Sequence, residues 1–195
     1  MAWDTVGEFL AFVAATGLIA AAFNQGILWL RERTERDRKA SYLALRVAAI
    51  LETYVHDALD ERSRMLYDIE RDGAPTTFSM GEIAEFPNEP ESWAMLPKSL
   101  AGRVMNLKMN AANEGRYLAH VSMHSDPHSL AGEYCDSIID VSLDAWLLAQ
   151  EIRTQFGFPI EGKVNETERE NRTGLFLEKA ANEIEARRKL EAVID

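Results

Sequence analysis

An uncharged stretch of 22 residues, from Phe9 to Leu30, constrains this chain more than any other feature. As an α-helix it would be about 33 Å long, close to the roughly 30 Å thickness of a bilayer's hydrocarbon core. Thr5 and Glu8 precede its apolar part with the spacing of a capping box, and Trp3 and Trp29 lie near its ends, where interfacial aromatic residues are common. The sequence therefore predicts a single transmembrane helix, with residues 1–30 as the anchor.

The charges on the two sides of this stretch predict its orientation. Asp4 and Glu8 precede it without a basic residue, whereas residues 31–39 (RERTERDRK) hold five of the 21 basic residues of the chain. The flank richer in Arg and Lys faces the cytoplasm. We therefore expect a single-pass inner-membrane protein with its N-terminus outside and residues 31–195 in the cytoplasm.

The anchor has two alternatives. A cleaved signal peptide would carry its basic residues before the apolar run rather than after it. A buried helix in a soluble oligomer stays open, because Asn24, Gln25 and many alanines make the stretch only mildly hydrophobic. The residues assigned to the anchor are Trp3, Phe9, Gly17, Ala21, Asn24, Trp29, Arg31 and Arg33.

One face of the anchor is lined by small residues and one amide. Small residues let two membrane helices approach closely, and an intramembrane Asn can hydrogen-bond across the pair. A homodimer is therefore one expectation, the other being that these residues share a face by chance. The face consists of Leu10, Ala14, Gly17, Ala21, Asn24 and Leu28.

The remaining sequence predicts an all-α fold, in which the anchor continues into a long helix of an antiparallel helical bundle. Neither Gly nor Pro occurs between Ile27 and Asp72, and apolar residues keep helical spacing there. Gly73 supplies a left-handed position and Pro75 prevents continuation, so this helix should cover 31–72. Its apolar stripe is Leu43, Val47, Ile50, Tyr54, Ala58 and Met65.

Residues 73–96 contain three of the six prolines and predict an irregular connector that packs Phe78, Phe86 and Trp93 onto the bundle. Further helices are predicted at 97–124, 128–157 and 167–192. Asp126-Pro127 is typical of a helix start, and Gly157 with Pro159 is typical of a helix end. An acidic column on the helix predicted at 128–157 is expected to be a solvated face, or else a docking face for a basic partner. It consists of Glu133, Asp136, Asp140 and Asp144.

Composition excludes some functions. A net charge of −11 repels phosphate backbones, so nucleic acid is not an expected partner. The single cysteine, Cys135, rules out an intramolecular disulfide and is expected to be a buried, inert thiol.

Two site hypotheses remain. His120 and His124 are four residues apart on one helix, a spacing compatible with metal binding, but Asp126-Pro127 interrupts the helix before His128. Glu114 falls within the apolar stripe of its helix. It is either a functional acid with a raised pKa, or a carboxylate that lies at the helix edge or pairs with Arg116, Tyr117 or Arg46.

No catalytic or cofactor motif accompanies these residues, so we expect no enzyme activity and no cofactor. The first hypothesis is a membrane-tethered interaction or scaffold module, whose partners are the lipid bilayer and either another protein or a second copy of the chain. The alternatives are a helical-bundle metal protein or enzyme, and a membrane signalling component.

Overall fold

A computed structural model describes residues 4–73, 80–122, 127–159 and 172–194, with only the backbone at 4–24, 72, 127–129, 172 and 190–194. Every regular element in these ranges is an α-helix, which confirms the predicted all-α class. The five helices are α1 (Asp4–Asp72), α2 (Pro90–Trp93), α3 (Lys98–Val121), α4 (Pro127–Gln155) and α5 (Arg172–Ile194).

Helix α1 runs without interruption for 69 residues, a length of about 104 Å. It ends at Gly73, whose φ of 78° is the left-handed conformation that favours glycine, and whose N–H donates to the carbonyl of Ile69 at 2.9 Å. One helix therefore contains residues 4–30 of the predicted anchor together with the first helix of the bundle.

Helix α4 lies at the centre of the bundle and packs against α1, α3 and α5. Its contacts with α1 run from Glu52–Arg153 to Met65–Cys135, so the two helices are antiparallel. The contacts with α3 run from Arg103–Glu151 to Glu114–Ser137, in the same antiparallel sense.

An extended segment, residues 80–89, lies between α1 and α3. Met80 and Ile83 are buried, and Phe86 packs against the core. Lys108 of α3 contacts this segment through an ion pair with Glu85 (2.9 Å). The segment thus fills a groove that the two helices would otherwise leave open to water.

The predicted connector contains one element that the sequence reading did not include, the single turn α2. Pro90 supplies its first residue, where the missing N–H costs no helical hydrogen bond. The indole N–H of Trp93 donates to the carbonyl of Pro87 at 2.8 Å, which closes the turn onto the preceding segment.

The C-terminal end of α4 is a Schellman motif. Gly157 has a φ of 69°, its N–H donates to the Thr154 carbonyl, and the N–H of Phe158 donates to the Arg153 carbonyl. The predicted cap at Asp126 and the predicted helix start at 167–171 lie outside the described residues.

Candidate functional site

Residues 25–39 of α1, here called the strut, extend beyond the bundle. All 15 of these residues are exposed, and the first buried residue that follows them is Ala40. At 1.5 Å per residue the strut is about 22 Å long. It therefore separates the bundle from residues 4–24, the earlier part of the same helix.

Residues 27–30 of the strut are apolar on all sides. Ile27, Leu28, Trp29 and Leu30 are 50%, 54%, 57% and 58% exposed. Consecutive helical residues point about 100° apart, so these four side chains surround the helix axis. A helix that is apolar all round is stable when it is buried in protein or in lipid, and no described residue covers this one.

The second part of the strut is charged. Arg33 stacks on the Trp29 ring at 5.5 Å, and Arg31 lies 3.9 Å from Glu35. Among the described residues, Arg36, Arg38 and Lys39 have no ion-pair partner. The transition from apolar to basic therefore occurs within a single turn, between Leu30 and Arg31.

The other predicted anchor residues have no described side chains. Trp3 lies outside the described residues, and Phe9, Gly17, Ala21 and Asn24 are described only as backbone of α1. The same holds for the predicted dimer face except Leu28. Within the described part of the chain, no helix has the length and apolar character needed to cross a membrane.

A pocket of about 300 Å³ lies where the strut enters the bundle, and we call it the entry groove. Its wall from α1 carries Arg38, Lys39 and Tyr42, and the opposite wall carries Glu89 and Ser92. The Glu89 carboxylate accepts hydrogen bonds from Arg46 (2.9 Å) and from the Ser92 hydroxyl (3.0 Å). The sequence reading missed this groove, because its two walls are about 50 residues apart in the chain.

A buried ion pair lies deeper in the bundle. Glu52 and Arg153 are 8% and 15% exposed in their side chains, and the guanidinium binds both carboxylate oxygens. Arg153 also donates to the carbonyl of Pro159 at 3.1 Å. This arrangement joins α1, α4 and the turn after α4, and its bidentate geometry and occupied donors are those of a structural link.

Glu114 is half-buried, and its Oε1 accepts a hydrogen bond from the Ser137 hydroxyl at 2.7 Å. None of the partners suggested by sequence forms this bond: Arg116 donates instead to Asn113 and to the Ala112 carbonyl. Glu114 therefore links α3 to α4, as a carboxylate that is paired with a neighbouring side chain.

The histidine hypothesis cannot be completed from the described residues. His120 is exposed near the end of α3, whereas His124 lies outside the described residues and His128 is described only as backbone. No group of three metal-ligating side chains occurs among the described residues. The His120–His124 pair stays a prediction.

The acidic column is partly neutralised by α5. Arg187 pairs with Asp136, and Arg188 pairs with Asp140 at 3.1 Å. Glu133 is exposed. The column thus serves in part to dock α5, which leaves less of it for a separate basic partner.

Two further buried groups lie away from these sites. Cys135 is buried, its thiol lies 3.9 Å from the Met65 sulfur, and burial raises its pKa, which disfavours the reactive thiolate. The Tyr54 hydroxyl is buried without a hydrogen-bond partner among the described residues, and burial raises its pKa. Tyr54 also lines a second pocket, of about 210 Å³, with Asp57 and Glu82.

Comparison with known proteins identifies no relative: the chain matches no protein family, no curated protein and no solved structure.

Proposed function

We propose that this chain is a single-pass membrane protein whose α1 holds a cytoplasmic helical bundle at the inner membrane, where the bundle acts as an interaction or scaffold module. The observation that carries this proposal is the exposed apolar end of the strut, directly followed by basic residues. An aqueous environment would leave Ile27, Leu28 and Leu30 in contact with water on every side of the helix. Lipid around them and headgroups around Arg31 and Arg33 would satisfy both groups.

The geometry of α1 supports a tether. Ala40, the first buried residue of the bundle, follows Leu30 by ten positions, or about 15 Å along the axis. The headgroup region adds about 5–7 Å on each side of the hydrocarbon core. An upright α1 would therefore hold the bundle just outside the headgroups, accessible to a partner in the cytoplasm.

The bundle surface supports the interaction role. Met105 and Met109 are exposed one turn apart on α3, and Tyr117 is exposed on the same helix. Met and Tyr are enriched where proteins meet other proteins. A photo-crosslinking residue at Met109 should give adducts in cells, whereas the same residue at exposed Glu178 of α5 should give fewer; equal yields would argue against α3 as the interaction face.

Membrane extraction tests the anchor. Leu18→Arg places a charge in the middle of the Phe9–Leu30 stretch, where a basic residue costs about 2.5–3.5 kcal/mol. The wild-type chain should stay with membranes in alkaline carbonate, and Leu18→Arg should shift a large fraction into the soluble phase. Leu147→Arg is the matched control, because Leu147 is an exposed leucine of the bundle.

One result would contradict the membrane tether. If the wild-type chain is soluble without detergent and elutes as one defined oligomer, the apolar stretch is covered by protein and the tether is wrong.

Thiol labelling tests the orientation. Ser63 is exposed on α1, and the native Cys135 is buried, so Ser63→Cys adds one accessible thiol. A membrane-impermeant maleimide should label Ser63→Cys only after the cells are permeabilised. Labelling in intact cells would place the bundle outside and reverse the proposed topology.

A further inference from the structure

We infer that the outer face of α3 binds an acidic, amphipathic helix of a partner protein. This names a partner class for the interaction role, and therefore rests on the proposed function. Six exposed residues follow one another along this face at intervals of three or four, which is the spacing of a seam between two helices. A Cβ added at Gly102 would meet no atom within 4 Å, so the described residues leave the face open. The seam consists of Lys98, Gly102, Met105, Met109, Ala112 and Arg116.

The centre of the seam is apolar and low. Met105 and Met109 are exposed one turn apart, and a methionine side chain adapts its shape to different apolar partners. Gly102 and Ala112, on either side of them, are small, so the backbone of a second helix can approach closely there. The whole seam is about 27 Å long. It therefore fits a helix of about five turns that carries apolar residues at the same spacing.

The charge of α3 is opposite in sign to that of the chain. The helix contains four Lys or Arg residues and a single carboxylate, Glu114, whereas the net charge of the whole chain is −11. Glu114 bonds to Ser137 of α4, which places it on the side of α3 away from the seam. Neither Lys98 nor Arg116 forms an ion pair with a described residue, and Arg116 donates only within its own helix. The seam therefore has a cation near each end and no carboxylate.

Two carboxylates from neighbouring elements lie beside α3, and each is already paired. Glu151 of α4 binds Arg103 at 2.6 Å, and Glu85 of the extended segment binds Lys108 at 2.9 Å. Arg103 and Lys108 are not members of the seam, so these pairs leave its two terminal cations unchanged. A partner helix with carboxylates near both of its ends would complement those cations, and such complementarity selects one partner over others.

A second copy of this chain is a poor occupant of the seam. In a two-fold dimer the same surface of both copies meets itself. A parallel pair of α3 helices would bring Lys98 beside Lys98, and an antiparallel pair would bring Lys98 beside Arg116. Both arrangements place cations together with no carboxylate of the seam between them, which is unfavourable. The occupant is therefore a different protein.

A lipid surface is also a poor occupant. Helices α1 and α3 both run antiparallel to α4, so they run in the same direction. With α1 upright in the bilayer, the seam extends away from the membrane rather than along it, and lipid reaches at most one of its ends. A helix in the cytoplasm can contact its full length.

Photo-crosslinking in cells tests the inference on the full chain. A photoreactive residue in place of Ala112 leaves both methionines and both cations of the seam intact. Tandem mass spectrometry of the adduct then reads the sequence of the crosslinked segment. We expect a segment of another protein with more Asp and Glu than Lys and Arg, and with apolar residues at intervals of three and four. The matched control replaces Ala186, an exposed alanine of α5, and should give fewer adducts.

Charge variants in the same assay test the two cations. Lys98→Glu combined with Arg116→Glu should lower the adduct yield about fivefold or more, because two attractions become repulsions. Lys98→Arg combined with Arg116→Lys keeps both charges and should retain the yield. The matched control, Arg64→Glu with Lys179→Glu, reverses two exposed cations on α1 and α5 and should change the yield less than about twofold. Circular dichroism of each purified variant checks that its helicity is unchanged.

Several results would overturn the inference: no adduct at Ala112, an adduct with a basic segment, with a second copy of this chain or with lipid alone, or an equal loss in the two charge-reversal variants. An adduct with a basic segment would leave the interaction role and the membrane tether intact. An acidic adduct from a chain that fails the membrane-extraction test would contradict the tether and support the partner class inferred for α3.

Discussion

The strut and the packed part of α1, residues 40–72, belong to one helix but differ in what stabilises them. In the packed part, buried residues recur every three or four positions and face α4 and the extended segment. In the strut, no described side chain is buried. Most helical stability in proteins comes from packing one face, so the strut depends on its backbone and on its surroundings rather than on the bundle. Substitutions in residues 40–72 should therefore have large effects on bundle stability, and substitutions in the strut should have small ones.

The largest expected effect comes from the buried ion pair. Arg153→Ala leaves the Glu52 carboxylate buried without its partner, which costs about 3–5 kcal/mol of unfolding free energy. Arg31→Ala breaks an exposed pair of the strut and should cost less than about 0.5 kcal/mol. Urea denaturation of the full chain in detergent, followed by circular dichroism, measures both.

A second variant separates the missing partner from the missing contacts. Glu52→Leu combined with Arg153→Met removes both charges and should recover most of the stability lost in Arg153→Ala. If the two variants are equally unstable, the ion pair matters through its shape or its bond to Pro159, and the contrast with Arg31 would no longer be electrostatic.

Core and strut leucines give the second contrast. Leu51 is fully buried, so Leu51→Ala should cost about 2–5 kcal/mol through lost burial and the cavity that remains. Leu28→Ala, in the exposed apolar end of the strut, should change bundle stability by less than about 0.5 kcal/mol. A large loss from Leu28→Ala would show that the strut is packed in the assembled protein, and would favour a soluble oligomer.

The sequence predicted the helices better than it predicted their contacts. Local signals were sufficient for the ends of α1 and α4, because Gly73 and Gly157 adopt the left-handed conformation that their positions near Pro75 and Pro159 suggested. Helical spacing was also sufficient for most of the predicted apolar stripe of α1, because all of its residues except Ile50 are buried.

What escaped prediction depends on residues far apart in the chain. Glu52 and Arg153 are 101 positions apart, and nothing local marks either as buried. The groove likewise joins Lys39 to Glu89 only after the extended segment has packed along α1. Leu51 and Val55, which the predicted stripe of α1 did not include, are fully buried, whereas Ile50 is only half-buried.

The smallest expected effect on stability comes from neutralising a carboxylate, in the bundle or in the strut. In the bundle, burial and then the neighbouring Asp140 raise the pKa of Asp144, partly offset by Arg103. A raised pKa means that ionisation of Asp144 costs the folded state free energy, a cost that is full at neutral pH and disappears as the pH falls towards and below the ordinary value of 3.8. Asp144→Asn should therefore stabilise the protein at pH 7 and lose that advantage in acid. Because Asp144 is exposed, solvent screening limits the gain to a few tenths of a kcal/mol.

Glu35→Gln is the matched control in the strut, where Arg31 is the nearest charge and no helix packs nearby. It should give no stability gain at pH 7, because the strut unfolds with little effect on the bundle. Parallel urea titrations at pH 7 and pH 4 test both variants. If Glu35→Gln matched the gain of Asp144→Asn, the effect would reflect the net charge of −11 rather than the local crowding of the acidic column, and the bundle and strut would then respond to one shared field.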